Sequence, residues 1–117
     1  MAGTVTIQGQ LTTLQQGTVQ VGPFTLTANA SSNFAASETT LASGANTVTI
    51  PTWAVGCVII PPTSNAVALT LKGVTGDTGI LLSLTLPSLL MFPATPSASF
   101  VITAASLTTS PTSVIFF

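Results

Sequence analysis

Ala66-Val67-Ala68-Leu69-Thr70-Leu71-Lys72, the turn Gly73-Val74-Thr75-Gly76-Asp77-Thr78-Gly79, and Ile80-Leu81-Leu82-Ser83-Leu84-Thr85-Leu86 follow one another without a break. In the first run Val67, Leu69 and Leu71 fall on one face, and Ala66, Ala68 and Thr70 on the other. In the last run Ile80, Leu82, Leu84 and Leu86 oppose Leu81, Ser83 and Thr85. This period of two belongs to strands, because successive side chains of an extended backbone point to opposite sides. Between the runs, Gly73, Gly76 and Gly79 are free to take positive φ, and Asp77 is a short carboxylate that can accept from nearby backbone N–H groups. Two strands joined by a glycine turn is the reading that decides an all-β chain.

The same alternation recurs outward. Phe100, Ile102 and Ala104 oppose Val101 and Thr103. Pro51, Pro61, Pro62, Pro87, Pro93, Pro96 and Pro111 cannot donate to a central ladder and mark strand ends or edges. Strands are predicted near 46–50, 56–60, 65–72, 79–86, 89–92, 98–105 and 112–117. Seven short strands at regular spacing predict a β-sandwich or jelly-roll-like body over residues 46–117. Residues 28–45, mostly Ala, Ser, Asn and Thr, predict a surface connector. Residues 1–27 are strand-like but rich in Gln (Thr4–Ile7, Val19–Val21, Phe24–Leu26). They read as outer strands of the body or as an N-terminal β arm reaching a neighbour. The tetrapeptide Thr-Val-Thr-Ile occurs at 4–7 and at 47–50, too short to make a repeat.

Charge is almost missing. Only Glu38, Lys72 and Asp77 are charged among 117 residues, 3% of the chain, where ~25% is usual. A near-neutral surface favours association, so a subunit covered by neighbours suits this composition better than a free monomer. Mean hydropathy is +0.74, which raises the question of a membrane. A spanning helix takes ~20 apolar residues, and the run from Ile80 to Phe92 is shorter and broken by Ser83, Thr85, Pro87 and Ser88. A membrane barrel calls for aromatic girdles, and the chain has one Trp and no Tyr. Met1-Ala2-Gly3-Thr4-Val5 lacks the basic and apolar regions of a signal peptide. No membrane partner is expected.

Few residues can do chemistry. Without His there is no imidazole base, no Ser-His triad and no His-bound metal. The lone Cys57 can form neither an intrachain disulfide nor a zinc site and reads as a buried thiol. Glu38 and Asp77 would need to approach within ~5–10 Å to act as a glycosidase pair, and calcium would need several more oxygens than Asp77 offers. No catalytic residue, cofactor or metal is expected. One Lys and no Arg cannot bind several phosphates, which argues against nucleic acid. Lys72 is expected to end a strand in water or to pair with Asp77.

Leu89-Leu90-Met91-Phe92 and Val114-Ile115-Phe116-Phe117 each place four large apolar residues in a row, so both faces of each run need cover. Either they bury an interface, or both are central strands of a thick sandwich. Trp53 and the phenylalanines read as core or interface rather than as a ligand box.

The stretch Ile59-Ile60-Pro61-Pro62-Thr63-Ser64-Asn65-Ala66-Val67-Ala68-Leu69-Thr70-Leu71-Lys72-Gly73-Val74, with Gly76-Asp77-Thr78-Gly79, the later Ser-rich stretch and the hydrophobic last strand, resembles segments of small virion proteins of tailed bacteriophages. The resemblance covers about residues 45–117 and leaves the first third unmatched. It implies a particle component in the virion, assembled in the host cytoplasm: a capsid decoration (cement) protein, or a head- or tail-attached fibre or adaptor subunit. The partners it implies are further copies, with a trimer favoured, and a larger virion protein such as the major capsid protein. A glycan- or receptor-binding module would share the fold but should carry aromatic and charged loops, where only Trp53 qualifies.

Overall fold

The computed structural model describes the backbone of Thr4–Gly9 and Phe24–Asn29, and residues 35–117 with their side chains. The described residues form ten strands and no helix. They are β1 (Thr4–Gly9), β2 (Phe24–Asn29), β3 (Ala35–Thr39), β4 (Gly44–Thr49) and β5 (Gly56–Ile60). The remainder are β6 (Leu69–Lys72), β7 (Ile80–Leu81), β8 (Ser88–Met91), β9 (Ser99–Ala104) and β10 (Thr112–Phe116). With no helix, no described segment is a helix long and apolar enough to cross a membrane.

From β3 onward the pairing is nested. β3 pairs with β10, β4 with β9, β5 with β8 and β6 with β7, all antiparallel. Two further ladders, β10 with β5 and β9 with β6, complete two four-stranded sheets. The first sheet runs β3-β10-β5-β8 and the second β4-β9-β6-β7. Successive nested pairs thus alternate between sheets, which puts β3 and β4 on one side of the body and β7 and β8 on the other. β1 and β2 make a separate antiparallel ribbon.

The core follows from alternation. Cys57 and Ile59 of β5 and Val114 and Phe116 of β10 meet Leu69 of β6 and Phe100, Ile102 and Ala104 of β9 in one buried cluster, joined by Leu41, Ile50 and Ala54. Each large aliphatic or aromatic group so buried contributes roughly 1.5–3 kcal/mol. The loop after β9 is tied to the segment between β3 and β4 by a buried threonine. Thr108 Oγ1 accepts from the Leu41 N–H at 2.8 Å, and the Thr108 N–H donates to the Leu41 carbonyl at 3.0 Å.

The structure departs from the predicted elements in three places. Residues 28–45, predicted as a connector, contain β3. Its sequence Ala-Ala-Ser-Glu-Thr is small and polar and carries no strand pattern, and the ladder with β10 is what makes it extended. The strand predicted over 79–86 is only Ile80–Leu81, and that over 65–72 begins at Leu69. Asn65 holds the missing part bent: its side chain bonds both the N–H and the carbonyl of Val67, and its Nδ2 donates to the Leu84 carbonyl at 2.9 Å. Of the three turn glycines only Gly79 takes positive φ, at 78°. Thr4–Ile7 and Phe24–Leu26 fall in β1 and β2, and Val19–Val21 lies outside the described residues.

Gly79 is also where the chain passes closest to β6. A Cβ there would lie 2.5 Å from the Leu71 carbonyl oxygen and 2.7 Å from Thr70 Cγ2. Gly79→Ala is therefore expected to cost about 1–3 kcal/mol in a denaturant titration, whereas Gly76→Ala, with open space around its Cβ, should stay within ~0.5 kcal/mol.

Candidate functional site

The surface that stands out is built by the chain between β7 and β8. In β7, Ile80 lies opposite Leu71 and Leu81 opposite Thr70. The ladder then stops. Leu82 packs half-buried against the core, its N–H donating to the Leu69 carbonyl at 2.8 Å. The Leu86 N–H turns back to Ser83 Oγ at 3.1 Å, and this bend together with the Asn65 bond to Leu84 leaves Leu84 and Leu86 outside. In β8, Leu90 lies opposite the buried Cys57, while Leu89 and Met91 face away from the core. The β7–β8 end of the two sheets therefore carries six exposed apolar residues, Ile80, Leu81, Leu84, Leu86, Leu89 and Met91, with Ile80, Leu81 and Leu86 each about two-thirds exposed (69%, 68% and 65%). Single exposed apolar residues are ordinary on a soluble monomer, whereas so many within one short segment are not.

The apolar character continues onto the outer face of the first sheet. The registers align Leu89, Val58, Ile115 and Ala36 in one row across β8, β5, β10 and β3. The outer face of the second sheet is different, with Ala45, Thr103, Thr70 and Leu81 in one row and Thr47, Val101 and Lys72 in the next. The first face sets this aliphatic row beside one of Ile60, Ser113 and Glu38, and the second mixes threonine with Ala, Val, Leu and Lys.

The residues singled out from the sequence divide between core and surface. Leu89 and Met91 are exposed, and Leu90 and Phe92 lie half-buried against the core. Val114 and Phe116 are core residues, and the Phe116 ring lies 6.3 Å from that of Phe92. Phe117 is 1% exposed, and its ring covers Gly56, where a Cβ would lie 2.8 Å from Phe117 Cζ. Only Ile115 of that run faces outward, half-buried. Interface roles for Val114, Phe116 and Phe117 therefore give way to core roles, because β10 is an interior strand flanked by β3 and β5. The exposed Ile80, Leu81, Leu84 and Leu86 went unnoticed as surface because their alternation reads as a strand with one buried face. The signal against it was Ser83, Thr85 and Pro87 crowding the same run.

The turn before this edge is organised by Asp77. Its Oδ2 accepts from the N–H groups of Gly73 at 3.1 Å and Val74 at 3.0 Å. Lys72 ends β6, and its Nζ points to the Thr75 carbonyl at 3.5 Å rather than to Asp77. Glu38, on the edge strand β3 opposite Ser113, and Asp77, in the β6–β7 turn, sit on different sheets. Among the described residues no three of His, Cys, Asp and Glu come together. Trp53 packs half-buried against the core. Burial pushes the Cys57 thiol up to about 12, so it stays protonated.

No protein-family model, curated protein or solved structure matches the chain.

Two outcomes follow from this geometry. Asp77→Ala should lower stability by about 0.5–1 kcal/mol, the lower part of the capping range because the turn is exposed, with Glu38→Ala within ~0.5 kcal/mol. Cys57 also sets an alkaline limit. An acid whose pKa is raised by folding supports the fold below its unfolded value and withdraws that support as pH rises toward the folded one. Between the ordinary value of 9.0 and about 12, unfolding free energy should fall by up to ~1.4 kcal/mol per pH unit. Cys57→Ala should flatten that slope in denaturant titrations across the same range.

Proposed function

We propose that this chain is a non-enzymatic structural subunit of a symmetric assembly, a phage virion protein of the capsid decoration (cement) type. The observation that carries this reading is the apolar edge from Ile80 to Met91, exposed on a chain with only three charged residues. Such an edge in water favours association, and neighbours without charge meet no repulsion when they cover it.

The fold supports the same class. We read the body as a jelly roll. Counting β3 as the first of eight strands, the sheet orders become 1-8-3-6 and 2-7-4-5. This is what results when a long antiparallel ribbon, its strands paired first with last, is wound into two sheets. Jelly rolls serve in viral capsids and in lectins. A lectin reading would call for aromatic and polar side chains converging on an open site. The one tryptophan is packed on the core, and the open edge is aliphatic, which favours the packing role. The resemblance of residues 45–117 to tailed-phage virion proteins points the same way. In this reading, copies join into a small ring, with a trimer favoured, and the 80–91 edge seats on a larger virion protein such as the major capsid protein.

Light scattering at micromolar concentration should give a mass several times 11.7 kDa, and a clean monomer would sink the proposal. Contacts of this kind are apolar, so assembly should persist to ~1 M salt, where the Debye length is only ~3 Å. Replacing both Leu81 and Leu86 by Asp should leave the circular-dichroism spectrum unchanged, since both are exposed, and should detach the subunit from its larger partner.

A further inference from the structure

The opposite side of the body, where β3 and β4 form the two sheet edges, is open between the sheets. A cleft of about 470 Å³ lies there, lined among others by Ala35, Leu41, Val48, Ile102, Val114 and Phe116. Its floor is the buried core, and Ala35 and Val48 at its wall are half-buried. At its wall Thr112 is 1% exposed, and its Oγ1 has no hydrogen-bond partner among the described residues. A buried hydroxyl left so costs ~1–3 kcal/mol. Among the described strands both flanking strands pair on one side only, β3 with β10 and β4 with β9. Their other backbone edges are free to accept a strand.

The same chain carries a segment of the complementary form. In the β1–β2 ribbon, Val5 lies opposite Ala28, Ile7 opposite Leu26 and Gly9 opposite Phe24. Thr4 lies opposite Asn29, Thr6 opposite Thr27 and Gln8 opposite Thr25. The register therefore sorts the ribbon into one wholly apolar face and one wholly polar face. Neither strand pairs with any other described strand, and a lone two-stranded ribbon is marginal in water. Its width also fits. Strands lie ~4.8 Å apart and packed sheets ~10 Å apart, so two strands bridge the gap between two sheet edges. The sequence of β1 suits the neighbour it would have. Thr4-Val5-Thr6-Ile7 repeats Thr47-Val48-Thr49-Ile50, in which Val48 and Ile50 turn inward and Thr47 and Thr49 face solvent.

We propose that the β1–β2 ribbon of one copy docks on the open β3–β4 side of a second copy, β1 alongside β4, and closes the cleft with its apolar face. This rests on the assembly reading above and names the joint that links the copies. Backbone bonds to the free edges fix the ribbon, and its apolar face covers the half-buried wall residues Ala35 and Val48. Donor and acceptor are different elements of each chain, so the contact is head-to-tail, the kind that builds a ring where the rotation between copies closes. Net charge of -1 leaves no repulsion between copies.

Complementation tests it. The strands from β3 onward hold their core without β1 or β2, so a chain lacking residues 1–29 keeps the acceptor and loses the donor. Ala35→Trp fills the cleft and keeps the donor. Each alone should sediment as a monomer with an unchanged circular-dichroism spectrum, while the full chain assembles and an equimolar mixture of the two gives a one-to-one dimer. If either variant keeps the full assembly, ribbon exchange is wrong, although the subunit reading stands on the 80–91 edge. A full-length monomer overturns both. A second measurement does not depend on the folding of either variant. Full-length Thr6→Cys and Thr47→Cys chains of different tag lengths are mixed and treated with a short bis-maleimide. Both positions are exposed, and the buried Cys57 stays unreactive. Cross-links between the two chains are expected, with none when Thr78→Cys on the far edge replaces Thr47→Cys. A double variant carrying Thr6→Cys and Thr47→Cys that cross-links only within itself shows the ribbon closing its own body and overturns the exchange.

Discussion

Everything in this molecule hangs on the contact of four side chains that no water reaches: Cys57 and Ile59 from one sheet, Leu69 and Ile102 from the other. None is large, and two sheets packed face to face can approach closely over them. Once β5, β6 and β9 are held in this way, the nested pairing leaves β10 between β3 and β5 and places β7 and β8 at the far side. The open cleft and the apolar edge are consequences of the same packing. They are the two flanks that eight strands in two sheets of four leave uncovered.

The scarcity of charge gives those flanks their meaning. In a typical domain, Lys and Glu on edge strands block unwanted pairing. Here the β7–β8 side carries aliphatic groups, and the β3–β4 side carries Ala, Ser and Thr with a single Glu. The threonines of β4, β6 and β9 lie on the outer face of the second sheet, where Val101 is buried and Thr103 Oγ1 has no hydrogen-bond partner among the described residues. The outer face of the first sheet sets an aliphatic row beside one that holds Ser113 and Glu38.

The turn chemistry shows how little polar material is needed where it is well placed. Asp77 gathers two backbone donors, Asn65 bends the approach to β6 and fixes Leu84, and Asn46 bonds the Ala42 and Ile102 carbonyls at the β3–β4 corner. Thr108 does the same inside the core. These four residues hold loops that a charged protein would hold with ion pairs. The one buried ionisable group, Cys57, is kept neutral by its surroundings, so the core contains no charge to compensate.

How far the amino acids alone decide the outcome can be seen strand by strand. Period-two alternation made β9 legible, with Phe100 and Ile102 on one side, while β5 and β10 were legible as apolar runs bounded by prolines. β3 was illegible, since Ala-Ala-Ser-Glu-Thr has no side chain whose burial demands extension, and only the ladder offered by β10 provides it. The run from Ile80 to Leu86 misled in the opposite direction. Its alternation is strand-like, but β6 presents only Thr70 and Leu71 as partners, so the residues from Leu82 to Leu86 leave the sheet and all but Leu82 become surface. Local pattern thus determined that the described chain is all-β, nearly uncharged and poor in reactive groups, since those follow from residue type and period. Which apolar residues became core and which became surface was settled only by tertiary structure. Burial belongs to a strand's place between neighbours: Phe116 is hidden because β10 is interior, and Leu86 is bare because nothing stands beside it.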